Sequence, residues 1–227
     1  MLFRSLGFSN LISIAVLAAI YGVVFKVPDF SAYVVYLGIG LVIWNTMASS
    51  IQAATGLFKT NADNIKNTNI NPIFYTLEEW SFQLQTFAQS FGLVILALSL
   101  YQPTLIFNLL VFGLLPVINL LIFIYWFPLL IGLLGAPYED FFQLIPIALQ
   151  LLFLLSPILY KHETLGSLAW SADLNPLFRI LDNIRHSLIH GHLRISDSII
   201  IFGLNIIGVL IAVDLLRKRR ALLPFIV

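Results

Sequence analysis

Long apolar stretches without a charged side chain dominate this chain. Residues 80–138 contain no Asp, Glu, Lys or Arg, and shorter charge-free runs lie on both sides of them. An α-helix rises about 1.5 Å per residue, so crossing a hydrocarbon core of about 30 Å takes about 20 apolar residues. The pattern therefore predicts an integral membrane protein, and residues 80–138 are long enough for two crossings.

Charges and turn residues divide the apolar sequence into six predicted spans. The spans cover residues 8–25, 31–57, 82–100, 104–134, 141–160 and 198–216. These runs are continuously apolar, whereas the strands of a membrane barrel alternate between polar and apolar positions. We therefore predict an all-α fold, with residues 1–227 forming a single transmembrane domain of six helices.

Composition supports this class and excludes others. Hydrophobic residues make up 59% of the chain and charged residues 10%, against about 25% charged residues in soluble domains. The basic residues are dispersed except for residues 217–220, so we expect no nucleic-acid partner. The absence of cysteine excludes disulfides, thiolate metal sites and cysteine nucleophiles.

The first apolar run follows Arg4 without a small-x-small cleavage site, which predicts a retained span rather than a signal peptide.

The basic residues also set the predicted orientation. Residues 217–220 directly follow the last span, and basic flanks favour the cytoplasmic side. An even number of spans then places both termini in the cytoplasm, together with residues 59–75 and 135–140. The predicted outer segments are residues 26–30, 102–103 and 161–197. Seven basic residues fall inside and five outside, a bias that depends mainly on the C-terminal run.

A shorter helix is predicted in the longest outer segment. Asn175 and Pro176 suit a helix start, and Gly191 suits its end. Apolar residues at helical spacing are Leu177, Ile180, Leu181, Ile184 and Leu188, and the other faces carry Arg179, Asp182, Asn183, Arg185 and His186. This amphipathic helix of about four turns is too short and too charged to span. We expect it to dip into the outer leaflet or to cap a cavity.

Two stripes of polar or small residues follow one helix face each in the second and third spans. They consist of Asn45, Ser49, Gln52 and Gly56, and of Ser81, Gln85 and Gln89. Hydrogen bonds and close packing between helices would explain both stripes, and a hydrated translocation path is the alternative. Tyr33, Tyr36 and Trp44 lie on the outer half of the second span, where an interfacial aromatic belt would account for them.

Charged residues are missing from the interiors of the spans. The acidic residues nearest the membrane fall at predicted boundaries and are Glu78, Glu79, Glu139, Asp140 and Asp214. Ion-coupled transporters generally need an ionisable group near the bilayer midplane. A secondary transporter is therefore disfavoured, and uphill transport would take its energy from elsewhere.

Candidate motifs for nucleotide, metal or catalytic chemistry are weak. Residues 56–60 read G-x-x-K-T and lack the G-x-x-x-x-G-K-[ST] phosphate loop with its preceding strand. His186, His190 and His192 form an H-x3-H-x-H cluster, which is more typical of solvated helix-end residues than of a metal site, so we predict no metal. No arrangement of Ser, His and an acid, or of paired carboxylates, supports a catalytic site.

A set of short motifs extends nearly from end to end. They are Arg4-Ser5-Leu6-Gly7, Gly40-Leu41-Val42-Ile43-Trp44-Asn45, Asn61-Ala62-Asp63-Asn64-Ile65-Lys66, Asn71-Pro72, Gly132-Leu133-Leu134-Gly135-Ala136, Leu155-Ser156-Pro157-Ile158, and Leu174-Asn175-Pro176 with Arg185 and Gly191. In this order and spacing the chain resembles the membrane permease subunit of ABC transporters that export lipid-linked bacterial polysaccharides. It resembles O-antigen exporters especially, with capsule and teichoic-acid exporters as close relatives.

This resemblance implies a function and a set of partners. Two permease chains and two ATPase chains form such a transporter, and the polymer passes between the permeases through a channel with aromatic rings. The implied function is ATP-driven export of undecaprenyl-linked O-antigen across the bacterial inner membrane. The permease itself would be no enzyme and would hold no cofactor, because ATP and magnesium bind to the ATPase.

The resemblance and the polar stripes together nominate three groups of residues. Residues 59–75 look like the loop that couples to the ATPase, with Asn61, Asp63, Ile65, Lys66, Asn71 and Pro72 as contact residues. Residues 161–197 look like an outer gate that re-enters the membrane, with Asn175, Pro176, Asp182, Arg185 and Gly191 as its main residues. The channel-lining candidates are Tyr33, Tyr36 and Trp44 by analogy, and Asn45, Ser49, Gln52 and Gln85 from the stripes.

The chain departs from the family pattern in two places. Relatives usually carry a cytoplasmic amphipathic helix before the first span, whereas this chain begins almost at the span, which implies a truncated start or reduced interfacial anchoring. Residues 137–140 are Pro-Tyr-Glu-Asp where relatives often carry basic residues, which alters how that surface would meet the ATPase. The alternatives are an exporter of teichoic acid, capsule or a small lipid or drug, a polytopic enzyme acting on lipid-linked sugars, and a structural scaffold.

Overall fold

All regular secondary structure in the described part of the chain is helical. The computed structural model describes residues 2–24, 26–67, 70–138, 140–160 and 162–226, with the side chains of all these residues except 2–8, 163, 168 and 226. The helices are α1 (Leu2–Val24), α2 (Phe30–Thr60), α3 (Ala62–Asn67), α4 (Ile73–Leu98), α5 (Leu105–Asn108), α6 (Leu114–Gly135), α7 (Phe141–Leu155), α8 (Ala169–Asp173), α9 (Pro176–His190), α10 (Ile195–Arg219) and α11 (Leu223–Ile226). A π-helical turn, Leu109–Gly113, joins α5 to α6, and a 3-10 turn, His162–Leu168, precedes α8.

Four helices are long and apolar enough to cross a membrane. They are Phe30–Thr60, Ile73–Leu98, Leu105–Gly135 and Ile195–Arg219. Two further apolar helices are shorter, namely Phe141–Leu155 and Ser9–Val24, the part of α1 whose side chains are described. The predicted all-α membrane fold is confirmed, and the count of six crossings stays a prediction. The predicted span end at Phe25, the acidic Glu139 and the basic Lys161 lie outside the described residues.

α2 is the central helix of the bundle. It packs against α1, α4, α6, α7 and α9, and nearly all of its residues from 33 to 44 are buried. Two glycines permit close approach of other elements: Leu98 lies against Gly38, and the guanidinium group of Arg185 lies against Gly40, where a Cβ would not fit. Small residues at such positions are typical of tightly packed membrane helices.

α7 ends earlier than predicted. The apolar pattern predicts a span over residues 141–160, but the helix ends at Leu155 and residues 156–160 are non-helical. Ser156 is extended, with φ −87° and ψ 133°, because a residue before proline disfavours the α region and Pro157 follows it. A helix of 15 residues is about 22 Å long, so α7 by itself is shorter than the hydrocarbon core. We call residues 156–160 the exit segment of α7.

The helix predicted after Asn175 and Pro176 is confirmed as α9. The Oδ1 atom of Asn175 accepts a hydrogen bond from the Leu177 N–H at 3.0 Å, and proline takes the first helical position. Gly191 follows the helix with φ 59° and ψ 37°, a left-handed conformation that favours glycine.

The polar residues of α9 are less exposed than an amphipathic pattern suggests. Asn183 and Arg185, which the spacing places outside the apolar face, are 3% and 2% exposed. α9 packs against α2, α6 and the π-helical turn, so most of its circumference meets protein. Its placement in the outer leaflet or over a cavity stays a prediction.

Side-chain amides join α10 to α6. The Asn205 Nδ2 atom donates to the Asn119 carbonyl at 2.9 Å, and the Trp126 Nε1 atom donates to the Asn205 Oδ1 atom at 2.8 Å. The Asn119 Nδ2 atom in turn donates to the Ser198 carbonyl at 3.0 Å. Polar groups in apolar surroundings need such partners, so this network holds the last long helix to the bundle.

Candidate functional site

A groove lies between α1, α2 and α7, and its cavity volume is about 420 Å³. The lining residues are Ser13 and Leu17 of α1, Leu41, Trp44, Asn45, Ala48 and Gln52 of α2, and Pro146, Leu149, Gln150 and Phe153 of α7. We call it the α1–α2–α7 groove. Three of the predicted channel-lining residues, Trp44, Asn45 and Gln52, therefore line one cavity.

This groove combines neutral hydrogen-bonding groups with aromatic rings. Asn45, Gln52 and Gln150 are exposed, and the Asn45 Nδ2 atom donates to the Asn10 Oδ1 atom at 3.0 Å. The ring centroids of Trp44 and Phe153 lie 5.6 Å apart, linking α2 to α7. None of the lining residues is charged. Amides donate and accept hydrogen bonds, and aromatic rings offer apolar faces, so the groove suits a neutral ligand with both kinds of surface.

Two other channel-lining candidates, Ser49 and Gln85, lie outside the groove. The Ser49 hydroxyl has one proton to donate and lies 3.1 Å from the Thr46 carbonyl of its own helix and 3.2 Å from the Gln83 Oε1 atom of α4. The Gln83 Nε2 atom donates to the Glu79 Oε1 atom at 2.7 Å. Gln85 is exposed on α4. The residues of the α2 stripe therefore have different surroundings: Ser49 lies within hydrogen-bond distance of α4, while Asn45 and Gln52 line the groove.

Tyr33 and Tyr36 bind the exit segment of α7. The Tyr33 hydroxyl donates to the Leu159 carbonyl at 2.8 Å. The Tyr36 hydroxyl lies 2.9 Å from the Pro157 carbonyl and 3.1 Å from the Tyr160 carbonyl, and it has one proton to donate. Neither tyrosine borders the groove, and their role as channel-lining residues stays a prediction.

Arg185 meets the same segment from α9. Its Nη1 atom donates to the Pro157 carbonyl at 2.9 Å, and its guanidinium carbon lies 3.7 Å from the centroid of the Tyr36 ring. Its Nε and Nη2 atoms are buried without a hydrogen-bond partner. Among the described residues no carboxylate forms an ion pair with Arg185. A buried cation of this kind is unusual, because buried charges are normally paired.

The remaining gate candidates lie at the two ends of α9, except Asp182, which lies in its middle. Asn175 caps the helix and also donates from Nδ2 to the Ser156 Oγ atom at 2.9 Å, and Pro176 is the first helical residue. Asp182 accepts from Arg194 at 2.8 Å. At the other end the Asn108 side chain lies against Gly191, and its Nδ2 atom donates to the carbonyl of residue 188 at 2.7 Å.

The predicted coupling residues lie on α3 and at its two ends. Asn61 links α2 to α3, because its Nδ2 atom donates to the carbonyl of Leu57 at 2.9 Å and its own carbonyl accepts from the Ile65 N–H at 2.9 Å. Asp63 and Lys66 are exposed. The short helix thus presents one charge of each sign at the surface.

The second half of the coupling loop leads into α4, which begins at Ile73 within the predicted loop of residues 59–75. The Asn71 Oδ1 atom accepts from the Ile73 N–H at 3.3 Å, and Pro72 is buried. Residues 68 and 69 lie outside the described residues. The structure places the six coupling candidates on one connection, and their contact with an ATPase stays a prediction.

The three histidines meet at the C-terminal end of α9. Ring centroids of His186 and His190 lie 4.8 Å apart, those of His186 and His192 lie 6.0 Å apart, and the His186 Nδ1 atom is 3.2 Å from the His192 carbonyl oxygen. Within the described residues, no group of three or more His, Cys, Asp or Glu side chains is arranged to hold a metal ion.

Sequence reasoning missed the contribution of α7 to the groove. Gln150 and Phe153 lie on an almost wholly apolar helix, in which Gln143 and Gln150 are the amide side chains. Those two amides were a signal for a polar side of α7. The burial of Arg185 had no comparable signal, since it depends on Gly40 and Tyr36 of a distant helix.

The fold and groove define a multi-pass α-helical membrane protein with a neutral polar cavity among its helices. Residues 2–189 match the family model of the ABC-2 type transporter, so this chain belongs to the ABC-2 transporter family and is a membrane subunit of an ABC transporter. The chain is also similar to the O-antigen export system permease protein RfbA of Klebsiella pneumoniae, with 24% identity over 208 residues. That alignment covers 89% of this chain and 80% of the relative.

Proposed function

We propose that this chain is the membrane-spanning subunit of an ATP-driven exporter that moves undecaprenyl-linked O-antigen polysaccharide across a bacterial inner membrane. Membership of the ABC-2 family supports the transporter class, and similarity to an O-antigen export permease supports the cargo. ATP hydrolysis belongs to a separate ATPase chain in this proposal, because this sequence contains no G-x-x-x-x-G-K-[ST] motif.

The observation that carries the proposal is the set of amide side chains that line the α1–α2–α7 groove, Asn45, Gln52 and Gln150, which we call its polar floor. Asn45 lies at the middle of α2, and Gln52 and Gln150 are exposed beside it. An amide moved from water to an apolar medium without a partner costs about 2 to 7 kcal/mol. Asn10 pairs with only one N–H of Asn45, so the remaining polar atoms of these amides need water, a polar cargo or another protein surface in front of them. A glycan supplies hydroxyl groups for the amides and C–H faces for Trp44 and Phe153.

A second copy of the chain would complete the path. Most oligomers of one chain are closed dimers with two-fold symmetry, so the same face of each subunit meets across the axis. In the proposed dimer the two grooves face each other and enclose a channel between α1, α2 and α7 of both subunits.

Coupling to the ATPase is assigned to α3. Asp63 and Lys66 are exposed at the surface, while Ile65 on the same helix is buried against the bundle. Because Asn61 bonds to both α2 and α3, a force applied to α3 is passed to α2, which forms the floor of the groove. ATPase closure would in this way tilt α2 and α7 and widen the path.

The basic residues at the end of α10 orient the proposed exporter. Arg217, Lys218 and Arg219 occupy the last turn of that helix, and basic flanks favour the cytoplasmic side. The C-terminus and α3 then lie in the cytoplasm, where the ATPase binds. With six crossings, the N-terminus lies there as well and α9 lies at the outer side.

Purification from the native host in mild detergent tests the partner and the coupling site together. We expect the tagged chain to recover a soluble protein with a G-x-x-x-x-G-K-[ST] motif in stoichiometric amount. Lys66→Glu reverses an exposed charge on α3, so recovery of that ATPase is expected to fall by about tenfold, which corresponds to about 1.4 kcal/mol of binding. Mass spectrometry of both preparations measures the ratio of the two chains.

The matched control is Lys26→Glu, which reverses an exposed charge beyond the opposite end of α2 and should leave ATPase recovery unchanged. Equal recovery with Lys66→Glu and the parent protein would contradict docking at α3. A stable preparation without any ATPase would contradict the exporter proposal itself. Extracted lipids test the cargo, because a teichoic acid, a capsular glycan or a small lipid in place of undecaprenyl-linked O-antigen would overturn that assignment alone.

A further inference from the structure

The exit segment of α7 is non-helical backbone next to long apolar helices, so its carbonyl groups need donors from elsewhere. Three of these carbonyls are supplied by side chains from two other helices. Tyr33 donates to Leu159, Tyr36 lies within hydrogen-bond distance of Pro157 and Tyr160, and Arg185 donates to Pro157. The outer end of α7 is therefore tied to α2 on one side and to α9 on the other.

Arg185 is the common element of these contacts. Its guanidinium group covers the Tyr36 ring and fills the space that Gly40 leaves on α2, while it shares the Pro157 carbonyl with the Tyr36 hydroxyl. A cation over an aromatic ring is attracted by the ring's negative face. No carboxylate among the described residues forms an ion pair with the guanidinium group. The charge of Arg185 is thus stabilised where α2, α9 and the exit segment of α7 meet. Separating any one of these elements from the other two removes part of that stabilisation.

The same end of α7 also lines the groove. Leu149, Gln150 and Phe153 of α7 form one wall of the cavity, and Phe153 stands three residues before Ser156, where the exit segment begins. A displacement of the exit segment therefore moves this wall relative to Trp44 on α2.

We propose that Arg185, Tyr36 and the Pro157 carbonyl form a latch that holds α7 against α2 and keeps the α1–α2–α7 groove narrow. Opening for cargo requires the Pro157 carbonyl to leave Arg185. Arg185 is a positioning residue in this scheme, since it acts through α7 and does not line the groove. The inference rests on the proposed function in taking the groove as the cargo path.

Cysteine labelling measures the latch directly, because the natural chain contains no cysteine. The parent is Gln150→Cys in lipid nanodiscs, and the readout is its rate of reaction with a sulfonated maleimide that does not enter lipid. Adding Arg185→Gln should raise the rate about tenfold, which corresponds to about 1.4 kcal/mol. Arg185→Lys retains the charge without the planar fork, so an intermediate rate is expected.

Tyr36→Phe removes only the hydroxyl and is expected to raise the labelling rate by a smaller factor. Gly40→Ala places a methyl group where the guanidinium lies, so it displaces Arg185 without removing the charge. These two variants decide the question if Arg185→Gln fails to fold. The matched control is Ser187→Ala, a buried residue of α9 whose hydroxyl bonds to the Asn183 carbonyl and not to α7. Its labelling rate should equal that of the parent.

Two results would overturn the latch. The first is a labelling rate that is unchanged both in Tyr36→Phe and in Arg185→Gln or Gly40→Ala, whichever of these two folds. A Gln150→Cys that does not react in any variant counts as the same result. The other is an equal acceleration by Ser187→Ala, which would indicate general loosening of α9. The measurement uses the full chain without an ATPase, so failure of ATPase recovery would contradict the exporter and leave the labelling result standing.

Discussion

His186, near the C-terminal end of α9, is a group whose protonation state depends on its surroundings. Burial lowers the pKa of His186 below its usual value, and the positive charge of Arg194 and the neighbouring His190 act in the same direction. The His192 carbonyl and the Asp182 carboxylate oppose them and do not reverse the shift. The folded protein therefore favours the neutral imidazole at this position.

The sign of this shift predicts lower stability in mild acid. An unfolded histidine titrates near pH 6.5, so below that pH the unfolded state binds the proton more readily than the folded state does. The stability that neutral His186 contributes is present above about pH 6.5 and is lost as the pH falls from there through the lowered folded pKa. Thermal unfolding of the protein in nanodiscs should therefore shift to lower temperature between pH 7.5 and pH 5.5.

Substitution identifies the group responsible for that shift. His186→Gln cannot take up the proton, so the decrease in unfolding temperature between the two pH values should become smaller. Ser187→Ala changes a neighbouring buried residue that does not titrate, and it should leave the decrease as it is in the natural chain. An undiminished decrease in His186→Gln would show that other groups cause the acid sensitivity.

Single residues also show where sequence reasoning reaches its limit. Asn45 and Gln52 were placed on one helix face by their spacing alone, and both face the groove. The burial of Arg185 was not predictable in this way, because the residue looks like part of a polar helix face until Tyr36 and Gly40 are brought against it. Local periodicity identifies which residues share a face, whereas burial of a charge depends on contacts between distant elements.

At the element scale, the C-terminal helix supports α3. Ile65, the buried residue of α3, belongs to an apolar cluster with Phe58 of α2, Tyr75 of α4, Leu216 of α10 and Leu223 of α11. Leu223 is 1% exposed, although α11 is only four residues long. A helix of six residues is too short to be stable alone, so α3 depends on this cluster for its position.

Leu223→Ala should accordingly loosen α3. Removing a buried leucine side chain costs about 2 to 5 kcal/mol in a packed core, and a site on a short helix that can collapse into the space belongs to the lower part of that range. Trypsin cleavage after the exposed Lys59 and Lys66, followed by mass spectrometry, should become faster. Phe225→Ala alters a residue of the same helix that is 87% exposed, so it should leave the cleavage rate unchanged. Equal rates in Leu223→Ala and the natural chain would contradict the supporting role of α11.

The elements themselves were predictable where apolar length and terminal residues agree. The long helices α2, α4, α6 and α10 follow from charge-free runs, and α9 follows from Asn175-Pro176 and Gly191. The end of α7 at Leu155 was not predicted, because the apolar sequence continues past Ser156 and Pro157 without a charged residue. The proline after Ser156 was the available signal, whereas Pro128 and Pro146 lie inside helices, so proline by itself did not distinguish a helix end from an interior position.

On the scale of the whole molecule, the exposed surfaces differ in how well their side chains suit contact with lipid. α10 exposes apolar side chains such as Ile199, Ile206 and Leu210, as a lipid-facing helix does. The face formed by α1 and α7 also has apolar rims, with Ile12 and Ile147 exposed. Between those rims, however, lies the amide floor of the groove. Apolar rims around a polar floor fit a second copy better than they fit hydrocarbon.

Cross-linking between copies tests which face meets the partner in the proposed homodimer. Ile147 is 57% exposed on α7, and Leu210 is 65% exposed on α10, so the two positions are matched in residue size, hydrophobicity and exposure. In this cysteine-free chain, Ile147→Cys should give a dimer with a short bis-maleimide in native membranes, because two-fold symmetry brings the same face of both subunits together. Leu210→Cys should stay monomeric on a denaturing gel, since it faces lipid. Equal dimer yields would indicate random encounters. A dimer formed through Leu210→Cys alone would move the subunit interface to α10 and leave the groove facing the bilayer, where the exposed amides of Gln52 and Gln150 would lack a polar partner from a second copy.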